Sequence, residues 1–540
     1  MALLVAPSQP PIWLLEVDVG TETLRFAQRP GVVGTGSAAV RFTGALVMEF
    51  SEELELSASG PPTRQVSIQL GGEEAWGPRS GHLFGARARL YEWAGGEFAA
   101  AELKLTGTVD APLISDPDLP PGVMAATLTE VEGDDHGLLR EVALVDETTW
   151  TITTPTGFAG DEVPDAYAGA YYPEVVGRPG YPVPNWFIAE GLAPGVPAVF
   201  AQHGAAPLFD NKTLIVAKRG STRVTTARLW DQDGGTDGGD LITVRDLRGQ
   251  VVTVFDQATL STVEPATPEA VSTGWATGWA SPPTTGPGGA LRGLGDVLVW
   301  ALERAGVDLP DAARGLAWDI DWPATLSDRG SLNRFKIDTY ISQQVGVWQW
   351  LTRDVLPFFP VFLGRTGRGL YVQEWRFRAQ AHEVVVELEH GRNAHRLSAV
   401  ADLATADVYT EITTRLGLDV RSGEPVRQAL FSGDPSAPAD RGRHALLQLA
   451  YSRVGRRATT VDVPVVWEAA TGYEVAEFLC ARYAAPLREV WYRLPWQLAW
   501  LRPGSLVRVV DAEPVVDALG TVTARKPGPG CVDLRVLLHP

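Results

Sequence analysis

The chain has 540 residues and a mass of 58.1 kDa, and 45% of its residues are hydrophobic and 21% charged. Single hydrophobic cores stop growing at roughly 250–300 residues, so this length predicts several domains. The composition is typical of a folded protein and excludes global disorder. The formal net charge of −19 argues against a protein that coats nucleic acid or binds anionic lipid, because both attract basic surfaces.

Glycine and proline together account for 96 residues, about 18% of the chain, which predicts many turns and short strands. The two cysteines, Cys480 and Cys531, exclude a disulfide scaffold and a four-cysteine metal site within one chain. The N-terminal residues lack a basic segment, and the acidic residues Glu16 and Asp18 come too early for the apolar run of a signal peptide. We therefore expect no signal peptide. No apolar run approaches about 18 residues, so we expect no membrane insertion.

Residues 1–110 are predicted to form a compact β barrel or sandwich. Between Arg41 and Leu56 the apolar side chains share one parity, the period of a half-buried strand, and Val66–Leu70 repeats this alternation. A hairpin is predicted from Ala86–Trp93 to Glu97–Val109, through a turn that contains two glycines.

The next three segments differ in composition. Residues 111–207 are dense in proline and glycine, which favours a β segment with extended loops. Residues 208–263 are predicted to form a second small β barrel, with its clearest hairpin between Leu241–Asp246 and Val251–Phe255. Residues 264–290, rich in proline, threonine, glycine and serine, have no periodicity and are interpreted as a linker.

Helical periodicity begins in the second half, which we predict to hold an α+β domain over 291–400 and a C-terminal α+β domain over 401–540. Helices are expected at Leu294–Ala305, Val345–Leu356 and Thr471–Tyr483, with Thr471 as the N-cap of the third. The third helix is expected to bury Val475, Phe478, Leu479 and Tyr483 and to carry Glu474 and Glu477 on its outer face. The tail returns to strands: Val490–Leu501, Ser505–Val510, Gly520–Ala524 and Val532–Leu538. The fold class is therefore mainly β with an α+β second half, several small barrels or sandwiches and a few packed helices.

An acidic loop is the first candidate for an ion site. Between Asp231 and Asp240 four carboxylates lie among glycines, and such oxygen ligands suit Ca²⁺. The loop does not follow the EF-hand register, since no glutamate closes it, and a solvated hairpin tip has the same residues. We expect a hairpin tip, so chelators should not change the stability of the chain, and exchanging Asp233 and Asp237 for Asn should leave folding untouched.

No catalytic, cofactor-binding or metal-ligating residue is assigned from the sequence. The spacing of His382, His390 and His395 fits neither a helical metalloprotease motif nor a zinc finger. Asp319 and Asp321 are two carboxylates, as a glycosidase requires. On a strand, however, positions i and i+2 lie on the same face, and two such carboxylates are typical of a solvated strand face. The G-x-S-x-G and P-loop patterns are absent from the sequence.

The last hundred residues carry the most specific pattern. In order they contain a turn, a strand, a helix that ends near a proline, and a final turn and strand: Ser452-Arg-Val-Gly455-Arg-Arg457, Thr460–Val466, Thr471–Tyr483, Arg482-Tyr-Ala-Ala-Pro486 and Leu501-Arg-Pro-Gly504-Ser-Leu506-Val-Arg-Val509-Val-Asp511. This order resembles the C-terminal part of tailed-phage tail hub (baseplate hub) proteins. Ser505 stands where that family has Asp, and Gly504 keeps the turn plausible.

Two earlier stretches, 164–179 and 347–361, are also similar to segments of such tail proteins. The resemblance implies a hub-like fold and a structural protein without enzyme activity. It implies a homotrimeric ring at the tail tip that joins the tail tube or distal tail protein to a spike or fibre, contacts the tape-measure protein and lets DNA pass during ejection. The chain would be made in the host cytoplasm and reside in the virion tail, with no sequence-specific nucleic acid binding.

Two other classes of function stay open from the sequence. A carbohydrate-active enzyme would use a carboxylate pair such as Asp319 and Asp321 together with aromatic side chains, and the chain has 18 tryptophans. A receptor-binding or carbohydrate-binding tail protein would be elongated and repetitive, but no internal repeat of fixed period is visible.

Overall fold

The computed structural model of the chain describes residues 9–53, 55–56, 65–72, 76–113, 119–130, 292–304, 330–341, 345–366, 369–378, 380–403, 408–418, 424–438, 442–512, 515–528 and 530–539. Between residues 151 and 317 it also describes separate short strands, whose bounds follow in chain order. The fold is mainly β with a few helices, so the predicted fold class is confirmed.

The first strands build a closed barrel. The strands are β1 Ile12–Val19, β2 Glu22–Ala27, β3 Gly31–Val33, β4 Val40–Phe42, β5 Gly44–Met48, β6 Glu52–Glu53, β7 Glu55–Leu56, β8 Gln65–Gly71, β9 Arg87–Trp93, β10 Glu102–Leu113 and β11 Val123–Glu130. The barrel runs β1-β2-β5-β8-β11-β10-β9 and closes between β9 and β1. Alternate residues such as Leu15, Val17, Ile68 and Leu90 fill its interior, because successive side chains of a strand point to opposite faces.

The middle of the chain forms open sheets. Its strands are β12 Thr151–Ile152, β13 Glu174–Val176, β14 Val196–Pro197, β15 Val199–Gly204, β16 Lys212–Arg219, β17 Val224–Trp230, β18 Thr236–Gly238, β19 Leu241–Arg245, β20 Val251–Asp256, β21 Thr267–Ser272, β22 Pro310–Asp311 and β23 Leu316–Ala317. One sheet has the order β12-β19-β20-β16-β15 and another β14-β21-β17-β18. Pairing of β19 with β20 confirms the predicted hairpin, and the expected linker 264–290 contains β21.

The second half mixes helices with sheets. The helices are α1 Leu294–Arg304, α2 Val347–Trp350, α3 Ala445–Val454 and α4 Ala469–Tyr483. The strands are β24 Thr339–Ile341, β25 Val361–Thr366, β26 Gly369–Glu374, β27 Val386–Glu389, β28 His395–Arg396, β29 Ala401–Leu403, β30 Glu411–Leu418, β31 Pro425–Ser432, β32 Gly442–Arg443, β33 Ala458–Val463, β34 Leu487–Pro495, β35 Leu506–Ala512, β36 Val515–Gly528 and β37 Cys531–Leu538. Within the described residues, no helix is long and apolar enough to cross a membrane.

The three predicted helices are present, with differences at their ends. The second continues beyond α2 as a π turn, Leu351–Val355, and a 3-10 turn, Leu356–Phe358. The prediction of Thr471 as N-cap is wrong, because α4 begins at Ala469 with Glu468 in the cap position. Thr471 is buried instead, where its hydroxyl donates to the Glu468 carboxylate and accepts the backbone N–H of Lys336, each at 3.0 Å.

A helix that the periodicity did not reveal precedes the turn at Gly455. This helix, α3, buries only Leu447 and Ala450 and leaves the rest of its surface half-buried or exposed, so its apolar stripe is too narrow to stand out in the sequence. Of the four core positions predicted on α4, Val475, Phe478 and Leu479 are fully buried, whereas Tyr483 near the end of the helix is only half-buried.

Two large cores lie outside the barrel. One combines α1, α2, β25, β30 and α4, so residues on both sides of position 400 fill the same interior. The other lies on the C-terminal sheet, β27-β35-β36-β37-β34-β28, which contains the predicted tail strands. The first of them ends at Pro495 and not at Leu501, because a 3-10 turn follows at Trp496–Leu498. The division of the chain into six domains stays a prediction.

The segment after β5 ties the barrel to the second half. The alternation from Arg41 to Leu56 predicted one strand, but the chain breaks it into β4, β5, β6 and β7. Of these, β6 pairs with β36 of the C-terminal sheet and β7 pairs with β25. Two-residue strands have too few positions for a period, so the pairing is decided by tertiary packing.

Candidate functional site

The carboxylates singled out in the sequence lie largely outside the described residues. Asp319 and Asp321 are both outside them, and of the loop 231–240 only β18 is described, with its backbone paired to β17. The calcium question and the glycosidase alternative therefore stay predictions.

The three histidines singled out in the sequence and the two cysteines do not form a common site among the described residues. The rings of His390 and His395 lie 5.6 Å apart, and Nδ1 of His390 accepts the backbone N–H of Arg396 at 3.1 Å, while His382 lies in a separate 3-10 turn. In the part of the chain that the structure describes, no three His, Cys, Asp or Glu side chains are grouped as a metal ion requires. Cys480 is a buried free thiol, and burial raises its pKa to about 12.

The most distinctive polar feature is a buried charge cluster between the barrel and the C-terminal sheet. We call it the junction cluster: Glu52 of β6, Glu92 of β9, Lys104 of β10 and Arg525 of β36. All four are less than 9% exposed, and Lys104 is only 1% exposed. Buried charges persist only when they are paired and hydrogen-bonded, so the geometry of these contacts decides whether the two parts stay together.

Every charge in the junction cluster has partners of the opposite sign. Arg525 donates to both carboxylate oxygens of Glu92, at 2.8 and 2.5 Å, and to Glu52 at 3.2 Å. Its remaining N–H groups donate to the backbone carbonyl of Ala499, at 3.1 and 2.8 Å. The Lys104 ammonium lies 2.7 Å from Glu52 and 3.3 Å from Glu92. Two cations thus face two carboxylates, and each cation lies within 3.3 Å of both carboxylates.

Electrostatics keep the Glu92 carboxylate of the junction cluster ionised. Burial by itself raises the pKa of Glu92, but the charges of Arg525 and Lys104 and the hydrogen bonds from Arg525 outweigh burial, so this pKa lies below the ordinary glutamate range. Burial by itself lowers the pKa of Arg525, but Glu92 and Glu52 raise it above its usual value. The cluster is therefore suited to holding two domains together and not to transferring protons near neutral pH.

Further ion pairs surround the junction cluster. Glu102 lies 3.0 Å from Lys104 and receives the guanidinium of Arg502 at 2.5 Å. Lys526 pairs with Glu49 at 2.6 Å, next to the pairing of β6 with β36. Each of these contacts joins a residue of the first 110 positions to another in the barrel or to the last 40 positions of the chain.

A second buried pair joins the barrel to β25. Arg365 of β25 lies 2.9 Å from Glu130 of β11, and their side chains are 6% and 2% exposed. With the pairing of β7 and β25, this contact fixes the barrel to the helix-containing core as well. The barrel is therefore held to both cores of the second half.

Sequence reasoning did not identify the junction cluster. Lys104 stands between Leu103 and Leu105, on the parity that a half-buried strand leaves to solvent, so a charge there indicates an exposed position. In the structure the pairing of β10 with β9 shifts register between Leu103 and Leu105, so the alternation breaks at Lys104. Its ammonium there meets Glu52 and Glu92, and no local pattern shows these contacts.

A polar cleft of about 520 Å³ lies between the turn at 331–335, the loop 374–383 and α4. Its arginines are paired, for example Arg334 with Glu374 at 2.5 Å and with Glu474 at 3.1 Å. Arg334 also lies 4.4 Å above the ring of Phe335. Glu474 and Glu477 were expected on the solvent face of α4, but both are half-buried, and Glu477 pairs with Arg378. The described residues of the cleft therefore stabilise packing around α4.

Comparison with known proteins gives matches among solved structures. No protein family model matches the chain, and no curated protein matches it. The tail protein from Neisseria meningitidis MC58 matches with a TM-score of 0.40 and 10% identity, over 97% of this chain and 96% of that chain. The 43 kDa tail protein of prophage MuSo2 from Shewanella oneidensis matches with a TM-score of 0.36 and 10% identity, over 97% and 98%.

A chain of the virion of a native gene transfer agent particle is also similar, with a TM-score of 0.38 and 14% identity, over 68% of this chain and 84% of that chain. By their descriptions, these three solved structures are tail or virion proteins. The identities are low, and each match concerns the course of the backbone.

Proposed function

We propose that the chain is a structural protein of a phage-type tail, located in the virion. The observation that carries the proposal is the order of elements at the C-terminus. There α4 is followed by Pro486, β34, the turn at 501–504 and β35, the order in which the sequence resembles tail hub proteins. In that turn Gly504 has a φ of 89°, a conformation that favours glycine, which supports the part of the resemblance that depends on this residue.

The finer role that we propose is a ring-forming hub. A homotrimer would join the tail tube or distal tail protein to a spike or fibre, contact the tape-measure protein and leave a passage for DNA. Such a ring transmits load between its neighbours, so its domains must not separate. The buried junction cluster supports this role, and so does the pairing of β6 with the C-terminal sheet and of β7 with β25. These contacts fix the barrel to both cores of the second half.

The test is the position and symmetry of the chain in tail particles. We expect a cryo-electron microscopy reconstruction of particles from a producing strain to contain three copies of the chain at the tail tip. A strain without the gene should make tails that lack the distal structures. Absence of the chain from purified particles would overturn the tail role, and a ring of other symmetry would overturn the trimer alone.

The proposed role requires no chemistry. We expect the purified chain to leave peptidoglycan and polysaccharides uncleaved, with soluble reducing sugar as the readout. Turnover that is lost in Asp319→Asn or Asp321→Asn, and retained in a variant at an unrelated exposed carboxylate such as Glu22→Gln, would favour the carbohydrate-active alternative instead.

A further inference from the structure

The barrel and the rest of the chain have separate apolar cores. The two apolar clusters of the barrel consist of residues between Ile12 and Leu128. The two clusters outside it begin at Val176 and end at Leu538. Among the described residues, these apolar clusters therefore do not extend across the boundary between the barrel and the second half. Domains without a large shared apolar interface are expected to move relative to each other.

Ion pairs cross this boundary, and the six that the structure describes have the same direction. In each of them the carboxylate lies in the first 130 residues and the cation in the second half. The pairs are Glu52 and Glu92 with Arg525, Glu102 with Arg502, Glu49 with Lys526, Glu53 with Arg535 and Glu130 with Arg365. Their N–O distances are 2.5 to 3.3 Å. Such one-sided charge is typical of two surfaces that recognise each other.

Short strand pairings accompany the ion pairs. Strand β6 pairs with β36 and strand β7 with β25, each through two residues. We call the six ion pairs and these two pairings the latch. Among the described strands, β6 and β7 have no other partner, so their backbone amides report directly on whether the latch is closed.

Negative charge predominates on the barrel side of the latch. The Lys104 ammonium lies 2.7 Å from Glu52, 3.3 Å from Glu92 and 3.0 Å from Glu102. These four side chains carry three carboxylates and one cation. Arg525 of the second half brings a further cation to Glu52 and Glu92. The attraction between the two parts therefore depends on this difference in charge.

Opening the latch exposes charged groups and backbone, whereas unfolding the barrel exposes apolar side chains. Charged side chains recover their hydration in water, and this offsets much of the Coulomb energy that the pairs lose. Apolar side chains of the barrel interior such as Leu15, Val17 and Leu90 have no such compensation. The latch should therefore open under milder conditions than those that unfold the barrel.

We propose that the barrel leaves the second half as a folded unit and that the latch is the place where the chain opens first. The opening is a local event with a lower free energy than the unfolding of either part. The inference goes beyond the proposed function and does not depend on it. A ring under load uses the closed latch, and the open state belongs to the chain before assembly.

Hydrogen exchange of the full chain at neutral pH, read by peptide mass spectrometry, tests the proposal. We compare the wild type with Glu92→Gln, which keeps the shape of the side chain and removes its charge. In the variant the amides of β6 and β7 should exchange at least about tenfold faster, because a buried cation has lost its partner. The amides of β1 and β8 in the barrel should keep the exchange rates of the wild type.

The matched control is Asp517→Asn. This variant removes an exposed carboxylate, the partner of Arg508, from the same strand as Arg525. Because exposed pairs contribute little, it should change the exchange of β6 and β7 less than about twofold.

A disulfide across the latch separates opening from unfolding. Glu53 and Ala524 are opposite each other in the antiparallel pairing of β6 with β36, and opposite residues of such strands lie within the Cα distance of a disulfide. In the triple variant Glu92→Gln/Glu53→Cys/Ala524→Cys, oxidation should return the exchange of β6 and β7 to the wild-type rate. Reduction should restore the fast exchange.

Urea gives the same comparison without a substitution. In the wild type, urea below the unfolding midpoint should raise the exchange of β6 and β7 before that of β1 and β8. The proposal is therefore tested even if Glu92→Gln does not fold.

Three results would overturn the proposal. The first is equal exchange of β6 and β7 in the wild type and in Glu92→Gln. The second is a rise in the exchange of β1 and β8 together with that of β6 and β7, since the barrel and the latch would then unfold as one unit. The third is fast exchange of β6 and β7 that persists in the oxidised triple variant. None of these results concerns the position of the chain in tail particles, so the hub proposal is tested separately.

Discussion

The junction cluster should make Arg525 one of the most important residues for the stability of the chain. Arg525→Met keeps an unbranched side chain, shorter than that of arginine, and removes the guanidinium. Glu92 and Glu52 would then share the ammonium of Lys104, and the carbonyl of Ala499 would lose two donors. Breaking a buried ion pair from one side costs roughly 3–5 kcal/mol, since it leaves a buried charge uncompensated.

The assay is urea unfolding followed by tryptophan fluorescence, with Arg508→Met as the control. Arg508 makes a bidentate pair with Asp517 at 2.8 Å, but this pair is exposed, and exposed pairs contribute little. The unfolding midpoint of the control should therefore match that of the wild type. Equal midpoints for all three proteins would refute the reasoning, because they would mean that the junction cluster does not hold the barrel to the C-terminal sheet.

The pH dependence gives an independent check on the same residue. The folded-state pKa of Glu92 is lowered, so its contribution to stability is complete above the ordinary glutamate range and is lost as the pH falls through and below that range. The free energy of unfolding of the wild type should therefore approach that of Arg525→Met as the pH falls. If the difference in the free energy of unfolding between the wild type and Arg525→Met grew on acidification, Arg525 would not be the cause of the lowered pKa of Glu92.

Three further predictions concern single side chains. Phe478→Ala should lower the free energy of unfolding in urea by roughly 3–5 kcal/mol, since Phe478 is fully buried on α4. Gln448→Ala, on the exposed face of α3, should change it by no more than about 0.5 kcal/mol. Similar losses in the two variants would contradict the assigned helix faces. Burial lowers the pKa of His539 from 6.5 to about 4, so stability should fall between pH 6.5 and 4 as the unfolded chain takes up a proton first, and His539→Gln should flatten this part of the profile. Alkylation of the native chain at about pH 8 should label half-buried Cys531 before Cys480, because the thiolate is the reactive form and burial disfavours it at Cys480. Peptide mass spectrometry gives the order of labelling. Labelling of Cys480 before Cys531 would count against the burial of Cys480.

Local pattern by itself determined several strands of the barrel and of the tail and two of the helices. Alternation over Val66–Leu70 and Ala86–Trp93 predicted strands of the barrel, and the tail strands follow the same rule. The periodicity of Leu294–Ala305 and Thr471–Tyr483 predicted α1 and α4 to within two residues at each end. These elements were readable because each has one buried and one exposed face, which fixes the spacing of its apolar residues.

Tertiary structure alone decided what covers each face. The sequence shows Lys104 on the polar parity of β10, and only the arrival of Arg525 and Glu52 in space makes that position buried. The two residues of β6 have no period of their own, and their partner β36 lies more than 450 positions away. Apolar spacing records that a side chain is buried but not by which segment. For that physical reason the sequence predicted the barrel, and only the structure showed the charges that join it to the C-terminal sheet.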